Sequence, residues 1–109
     1  MTFYGSKENL HAVWDVGLIR HEKQWGAEFA AALDSRITAD QRAAWTRGSV
    51  EDWALESHAL AVKIAYGKLP PGATPNLTDD YANAALPVVE EQIEKAGIRL
   101  AFLLNDALR

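Results

Sequence analysis

The last third of the chain constrains its fold most. Between Thr78 and Leu108, Leu86, Val89, Ile93, Ala96, Gly97, Leu100, Leu103, Leu104 and Leu108 form one apolar stripe at 100° per residue. Val88, Ile98 and Phe102 lie on the opposite side. A helix that is apolar on two sides is a central one, with neighbours on both. Thr78 with Asp79 and Asp80 opens this segment, and Pro87 either kinks it or occupies the first turn of a fresh helix. At 109 residues the chain has room for one domain. The neighbours must then come from four helices upstream, two of them short. These fall short of covering both faces, which leaves self-association or further protein to complete the burial.

Upstream of it nearly everything after residue 8 reads as helix. Asn9 caps a first helix with Leu10, Val13, Trp14, Gly17 and Leu18 along one face. A second runs from about His21 to Ile37, carrying Trp25, Phe29, Ala32, Leu33 and Ile37, with Gly26 weakening its start. Thr38-Ala39-Asp40-Gln41 is a capping box for a short helix toward Trp45 that ends at Gly48. Ser49 caps a fourth helix, with Glu51 and Asp52 in its positive first turn and Trp53, Leu60, Ala61 and Ile64 on one side. It stops near Tyr66-Gly67. Residues 67–77 hold three prolines and two glycines and form the one long loop. No alternation predicts a strand. The expected architecture is all-α, one helical bundle over residues 1–109.

Composition closes several routes to function. With 49% hydrophobic and 24% charged residues the chain is globular in character. It has no cysteine, which excludes disulfides, thiolate zinc sites, iron–sulfur clusters and a cysteine nucleophile. A net charge of −4 is not the footprint of a protein that grips duplex nucleic acid through lysine and arginine. No run approaches the ~18 apolar residues of a membrane span, and the first eight residues lack the basic start and apolar stretch of a signal peptide.

The sharpest chemical feature is His11-Ala12-Val13-Trp14-Asp15. On a helix His11 and Asp15 stand one turn apart on one face, so imidazole and carboxylate can converge on one ion. A nitrogen and an oxygen donor suit zinc, although two ligands leave a site incomplete. As a bare spacing, the pair is met more often in a surface hydrogen bond.

The surrounding residues add to this. Asn9-Leu10-His11-Ala12-Val13-Trp14-Asp15-Val16-Gly17-Leu18-Ile19 closely resembles a signature of the S1/P1 nucleases, the single-strand-specific zinc nucleases with a phospholipase C-like helical fold. The resemblance takes in Phe3-Tyr4-Gly5, the run from Trp53 to Ala61, Tyr66, Tyr81, the run from Pro87 to Gln92, and the run from Ala96 to Asn105. It implies an all-α fold of phospholipase C/nuclease P1 type, of which this chain is expected to be the C-terminal part, about two-fifths, with Met1 an internal start. It also implies three zinc ions in the complete fold. His11 and Asp15 would be ligands of the ion outside the bridged pair, with the remaining ligands upstream of Met1. The implied chemistry is metal-assisted hydrolysis of phosphodiester bonds in single-stranded DNA and RNA, leaving 5′-phosphates, with 3′-nucleotidase activity. Single strands and nucleotides would be the substrates, no membrane would be involved, and the complete protein would be secreted or periplasmic. Three divalent ions would answer the acidic charge balance. Val16 departs from the pattern: the family commonly has a polar, substrate-touching residue there, and an isopropyl group cannot hydrogen-bond. Alone, the chain is expected to have very little activity.

Other residues read more plainly. Trp14, Trp25, Trp45 and Trp53 each fall on an apolar stripe, which favours core packing over base stacking. His21 and Glu22 are expected to be solvated; were the helix to run on, Glu22 would lie near the His11–Asp15 side. Ser57 and His58 point ~100° apart on a helix and cannot act as nucleophile and base. Glu56 is expected to bond a neighbouring backbone or helix, with support of a metal ligand from behind as its functional alternative. The prolines of residues 67–72 remove the amides that a phosphate cradle needs. Glu90, Glu91, Glu94, Lys95 and Arg99 are expected to form a solvated face. Two non-catalytic readings stand beside the nuclease: a helical module that self-associates through apolar faces, and a tryptophan-based single-strand binder, which the net charge disfavours.

Overall fold

The structure, a computed structural model, describes residues 1–22 and 26–109. Its helical segments are α1 (Leu10–Ala12), the π-turn π1 (Val13–Gly17), α2 (Leu18–His21), α3 (Gly26–Arg36), α4 (Ala39–Trp45), α5 (Val50–Leu60), a second π-turn π2 (Ala61–Tyr66) and α6 (Asp79–Ala107). The capping chemistry read from sequence is present. Asn9 Oδ1 accepts from the Ala12 N–H at 2.8 Å, and the Thr38–Gln41 and Ser49–Asp52 pairs each bond reciprocally. Trp25 lies outside the described residues.

α6 is continuous through Pro87, which resolves the choice between a kinked helix and two helices. The missing proline N–H falls opposite the carbonyl of Asn83. Both residues are exposed, so water can bond that carbonyl and the helix carries on.

Three two-residue strands depart from the all-helical expectation. β1 (Thr2–Phe3) pairs antiparallel with β2 (Ser6–Lys7) and parallel with β3 (Asn76–Leu77), giving the order β2-β1-β3. Alternation cannot be read in two residues, so periodicity could not announce them. Tyr4 (φ 49°) and Gly5 (φ 84°) make the tight turn between β1 and β2. The sheet places the start of the first helix beside the start of α6. Tyr4 adds a further link, its hydroxyl donating to Asp79 Oδ1 at 2.6 Å.

The core lies between the first helix and the N-terminal half of α6: Val13, Leu18, Leu77, Tyr81, Ala82, Ala85 and Val89, with Phe3, Leu10, Trp14 and Leu86 packed around them. Leu33 of α3 and Trp45 of α4 are buried further along the chain. Beyond Arg99 every residue of α6 is exposed, including Leu100, Phe102, Leu103, Leu104 and Leu108. The molecule is accordingly long, with a radius of gyration of 15.7 Å against about 13 Å for a compact chain of this length. The expectation that these helices cannot cover both faces of α6 is met.

Candidate metal-ligand pair and the turns that hold it

The first helix changes hand-over in its middle. Leu18 N–H donates to the Val13 carbonyl, five residues back. Five α-helical steps would set these side chains about 140° apart. The wider π-turn brings Leu18 round above Val13, and both are fully buried. Burial of two large side chains five apart is what the wide turn accomplishes. Gly17 closes it, at a position where a Cβ would meet the Phe3 ring at 3.4 Å.

On the outer side stand His11 and Asp15. His11 Nε2 is 3.7 Å from Asp15 Oδ2, beyond hydrogen-bond length, and the side chains are 88% and 69% exposed. Two donors at zinc distances on a tetrahedral ion are separated by about 3.4 Å. The observed spacing and the nitrogen–oxygen donor set therefore fit one edge of such a site. Among the described residues no group of three or more His, Cys, Asp or Glu side chains comes together. The pair fits two protein ligands of an ion and is not a complete site. It sits at the rim of an open, mainly apolar groove of about 600 Å³ lined by Leu10, Trp14, Leu60, Tyr66, Val89 and Ile93 among others.

Behind the pair runs a polar thread through the core. Trp14, inside π1, donates its indole N–H to the Tyr81 hydroxyl at 2.8 Å, and that hydroxyl donates to the Ala65 carbonyl of π2 at 2.6 Å. The Ala65 carbonyl needs this bond. Lys68 N–H is taken by Ile64, Leu69 N–H by Tyr66, and residue 70 is proline. Burial pushes the Tyr81 hydroxyl pKa up, with the Trp14 bond opposing it in part, so the phenol stays a donor. Periodicity put Tyr81 outside every stripe. The available signal was that a buried phenol requires a partner.

π2 ends against Gly67. A Cβ there would collide with the Lys63 carbonyl oxygen and meet that of Val62 at 2.9 Å. Gly67→Ala must open the turn and is expected to cost about 1–3 kcal/mol, read as a lower urea midpoint at unchanged slope.

Glu56 occupies the seam between α5 and α6. Oε1 accepts from Lys95 Nζ at 2.6 Å and Gln92 Nε2 at 3.2 Å, and Oε2 accepts from Arg99 Nη2 at 2.8 Å. Burial alone would raise its pKa, but the bonds from Lys95, Arg99 and Gln92 outweigh it and hold the carboxyl at about 2. Arg99 also donates to the Trp45 carbonyl at 2.8 Å and lies 4.9 Å over the Trp53 ring. Glu56 thus bonds a neighbouring helix and reaches neither His11 nor Asp15.

The charged side of α6 corrects the sequence reading. Glu94, Lys95 and Arg99 side chains are only 8%, 14% and 12% exposed, and Glu90 and Glu94 pair with Arg36 of α3 at 3.2 and 2.9 Å. Intrahelical spacing cannot reveal partners that arrive from α3 and α5. His21 is exposed as expected, yet its ring stacks on Tyr4 at 3.8 Å. Glu22 is exposed at the end of α2, and Val16 is exposed beside Asp15. Trp45 is buried and Trp14 and Trp53 are half-buried, with both indole N–H groups bonded, which suits packing rather than base stacking.

Comparison with known proteins agrees with the signature. The S1/P1 Nuclease family model matches residues 1–109. The chain is 34% identical to Endonuclease 5 of Arabidopsis thaliana, over 96% of this chain and 40% of that protein. It is 32% identical to Endonuclease 4 of the same plant, over 94% and 38%, and 25% identical to Nuclease P1 of Penicillium citrinum, over 97% and 46%. The chain therefore spans less than half the length of the curated relatives it matches. No solved structure matches it at a significant level.

Proposed function

The chain belongs to the S1/P1 nuclease family, and from that premise we propose that it is the C-terminal part of a zinc-dependent nuclease acting on single-stranded DNA and RNA. The reaction is hydrolysis of phosphodiester bonds to 5′-phosphorylated products, with removal of 3′-phosphates from nucleotides. The observation that carries this reading is the His11–Asp15 pair: two donors of the right kinds, 3.7 Å apart and turned to solvent at the lip of a groove. His11 would supply its Nε2 lone pair and Asp15 a carboxylate oxygen. When bound there, zinc contributes positive charge that neutralises a phosphate and its departing oxygen. Val16 beside the pair offers no hydrogen bond, so substrate is oriented by other groups.

Export from the cell, as a secreted or periplasmic enzyme, belongs to this reading of the whole protein. Among the described residues no third ligating side chain joins the pair, and two ligands are too few for a catalytic zinc cluster. The 109 residues alone are expected to cleave single-stranded DNA and 3′-mononucleotides no faster than a His11→Ala control in excess zinc. Cleavage well above that control would mean that His11 supports catalysis without the ligands upstream. Equal cleavage by both proteins above a protein-free blank would mean that the chemistry runs on other residues of this chain. Zinc binding is the decisive measurement: one ion per chain, with the His11 ring resonances moving first in a titration followed by NMR. Zinc that leaves His11 unmoved would remove the basis of the proposal.

A second reading rests on a different observation, the uncovered apolar end of α6. A non-catalytic module would self-associate there. Sedimentation distinguishes it by concentration-dependent dimers that neither need zinc nor respond to His11→Ala.

A further inference from the structure

The geometry assigns to Tyr81 a positioning role: its hydroxyl ties the two π-turns together and so fixes the helical turn that sets Asp15 beside His11. The inference about metal rests on the zinc reading above; the coupling of the turns does not.

A π-turn is a wide, rare arrangement that persists where its surroundings hold it. Both such turns among the described residues end on the same hydroxyl. From π1 comes the indole N–H of Trp14, the residue immediately before Asp15. From π2 comes the carbonyl of Ala65, which Pro70 leaves without a backbone partner. Tyr81 is 3% exposed and stands in the first turn of α6, close to where β3 and the Tyr4–Asp79 bond fasten that helix end. The phenol is therefore a fixed post, and π1 is anchored to it at the position next to the candidate ligand.

The turn matters for the pair itself. Four α-helical steps overshoot a full turn by about 40°, and a wider turn reduces the overshoot, bringing residue 15 more nearly above residue 11. Were π1 to relax to regular α-helix, the pair would stay on one face but with Asp15 turned about 40° from His11, so their spacing would change. Leu18 would move about 140° round from Val13. A hydroxyl seated in the core would in this way govern the spacing of two side chains on the surface.

Tyr81→Phe keeps the ring and its burial and removes only the hydroxyl, leaving the Trp14 N–H and the Ala65 carbonyl unpaired. The expected results are amide exchange at Leu18, the donor of the π1 bond, faster by about tenfold or more, and a zinc dissociation constant at His11 higher by about tenfold. Trp14→Phe breaks the same thread from its other end. Combined with Tyr81→Phe it should add much less than its separate effect on Leu18 exchange, because one connection is lost in both. A purely structural role for the hydroxyl would speed exchange throughout the core in parallel and would leave zinc affinity untouched; that pattern overturns the assignment. Should the unaltered chain take up no zinc at His11, the metal reading falls, and exchange at Leu18 against exchange elsewhere in the core still decides whether Tyr81 couples the turns. If Tyr81→Phe fails to fold, Trp14→Phe alone supplies both readouts.

Discussion

Glu56→Ala is expected to be among the most damaging single substitutions in this chain, lowering stability by about 2–3 kcal/mol at neutral pH. Removing one member of a buried ion pair costs about 3–5 kcal/mol, because the opposite charge is left in the protein without its partner. Arg99 is in that position at 12% exposure, and Lys95, at 14%, would keep only the more exposed Glu91 at 3.4 Å. Glu56 itself is 30% exposed, so water screens part of the interaction and the expectation sits below the fully buried range. For a domain of this size the loss corresponds to a midpoint lower by about 10–20 °C. Arg42→Ala offers the contrast. Its bond to Asp34 joins side chains 47% and 71% exposed, and about 0.5 kcal/mol or less should be lost.

The same carboxyl gives a pH dependence with a defined sign. Its folded pKa is about 2, depressed from 4.5. A depressed carboxylate contributes stability above its unfolded pKa and loses it as pH falls toward the folded value. Denaturation of the unaltered chain and of Glu56→Gln should therefore differ by about 2 kcal/mol at pH 7. The difference should close between about pH 4.5 and pH 2. A gap that stays constant over that interval would mean that the Lys95 and Arg99 bonds do not hold the carboxylate.

Much of this architecture was legible because local chemistry decides it. Asn9, Thr38 and Ser49 cap where capping geometry says they must, and the uncovered end of α6 follows from its two-sided pattern. Three features were not legible, each for a physical reason. β1, β2 and β3 are too short for alternation. The ion pairs of Glu94, Lys95 and Arg99 depend on Arg36 and Glu56, which lie 58, 39 and 43 residues away in sequence. The π-turns register only as Val13 and Leu18 both being apolar at a spacing that a regular helix does not reward. The residues of the candidate site divide along the same line. His11 and Asp15 could be found from one helical turn, whereas Tyr81 behind them could be found only once three segments had been brought together.

His11→Ala and Asp15→Ala are expected to have the largest effect on metal binding, and the scale can be set in advance. A four-ligand structural zinc site is worth about 10–16 kcal/mol at pH 7, or about 2.5–4 kcal/mol per ligand if shared evenly. Two ligands then correspond to a dissociation constant between about 1 and 200 μM. Removing either one leaves a single donor and should weaken binding by about 100-fold or more. The side chains are 88% and 69% exposed and carry no packing, so stability without metal should change by less than about 0.5 kcal/mol. That separation is what identifies ligands. A surface pair of merely structural use would change neither quantity, and a residue that supports the fold would change stability first. His58→Ala is the specificity control: it is exposed on α5 and is not among the residues lining the groove, so its removal should leave the zinc isotherm as it was. Were His58→Ala to weaken zinc as strongly as His11→Ala, the ion would be held elsewhere than at the turn between residues 11 and 15.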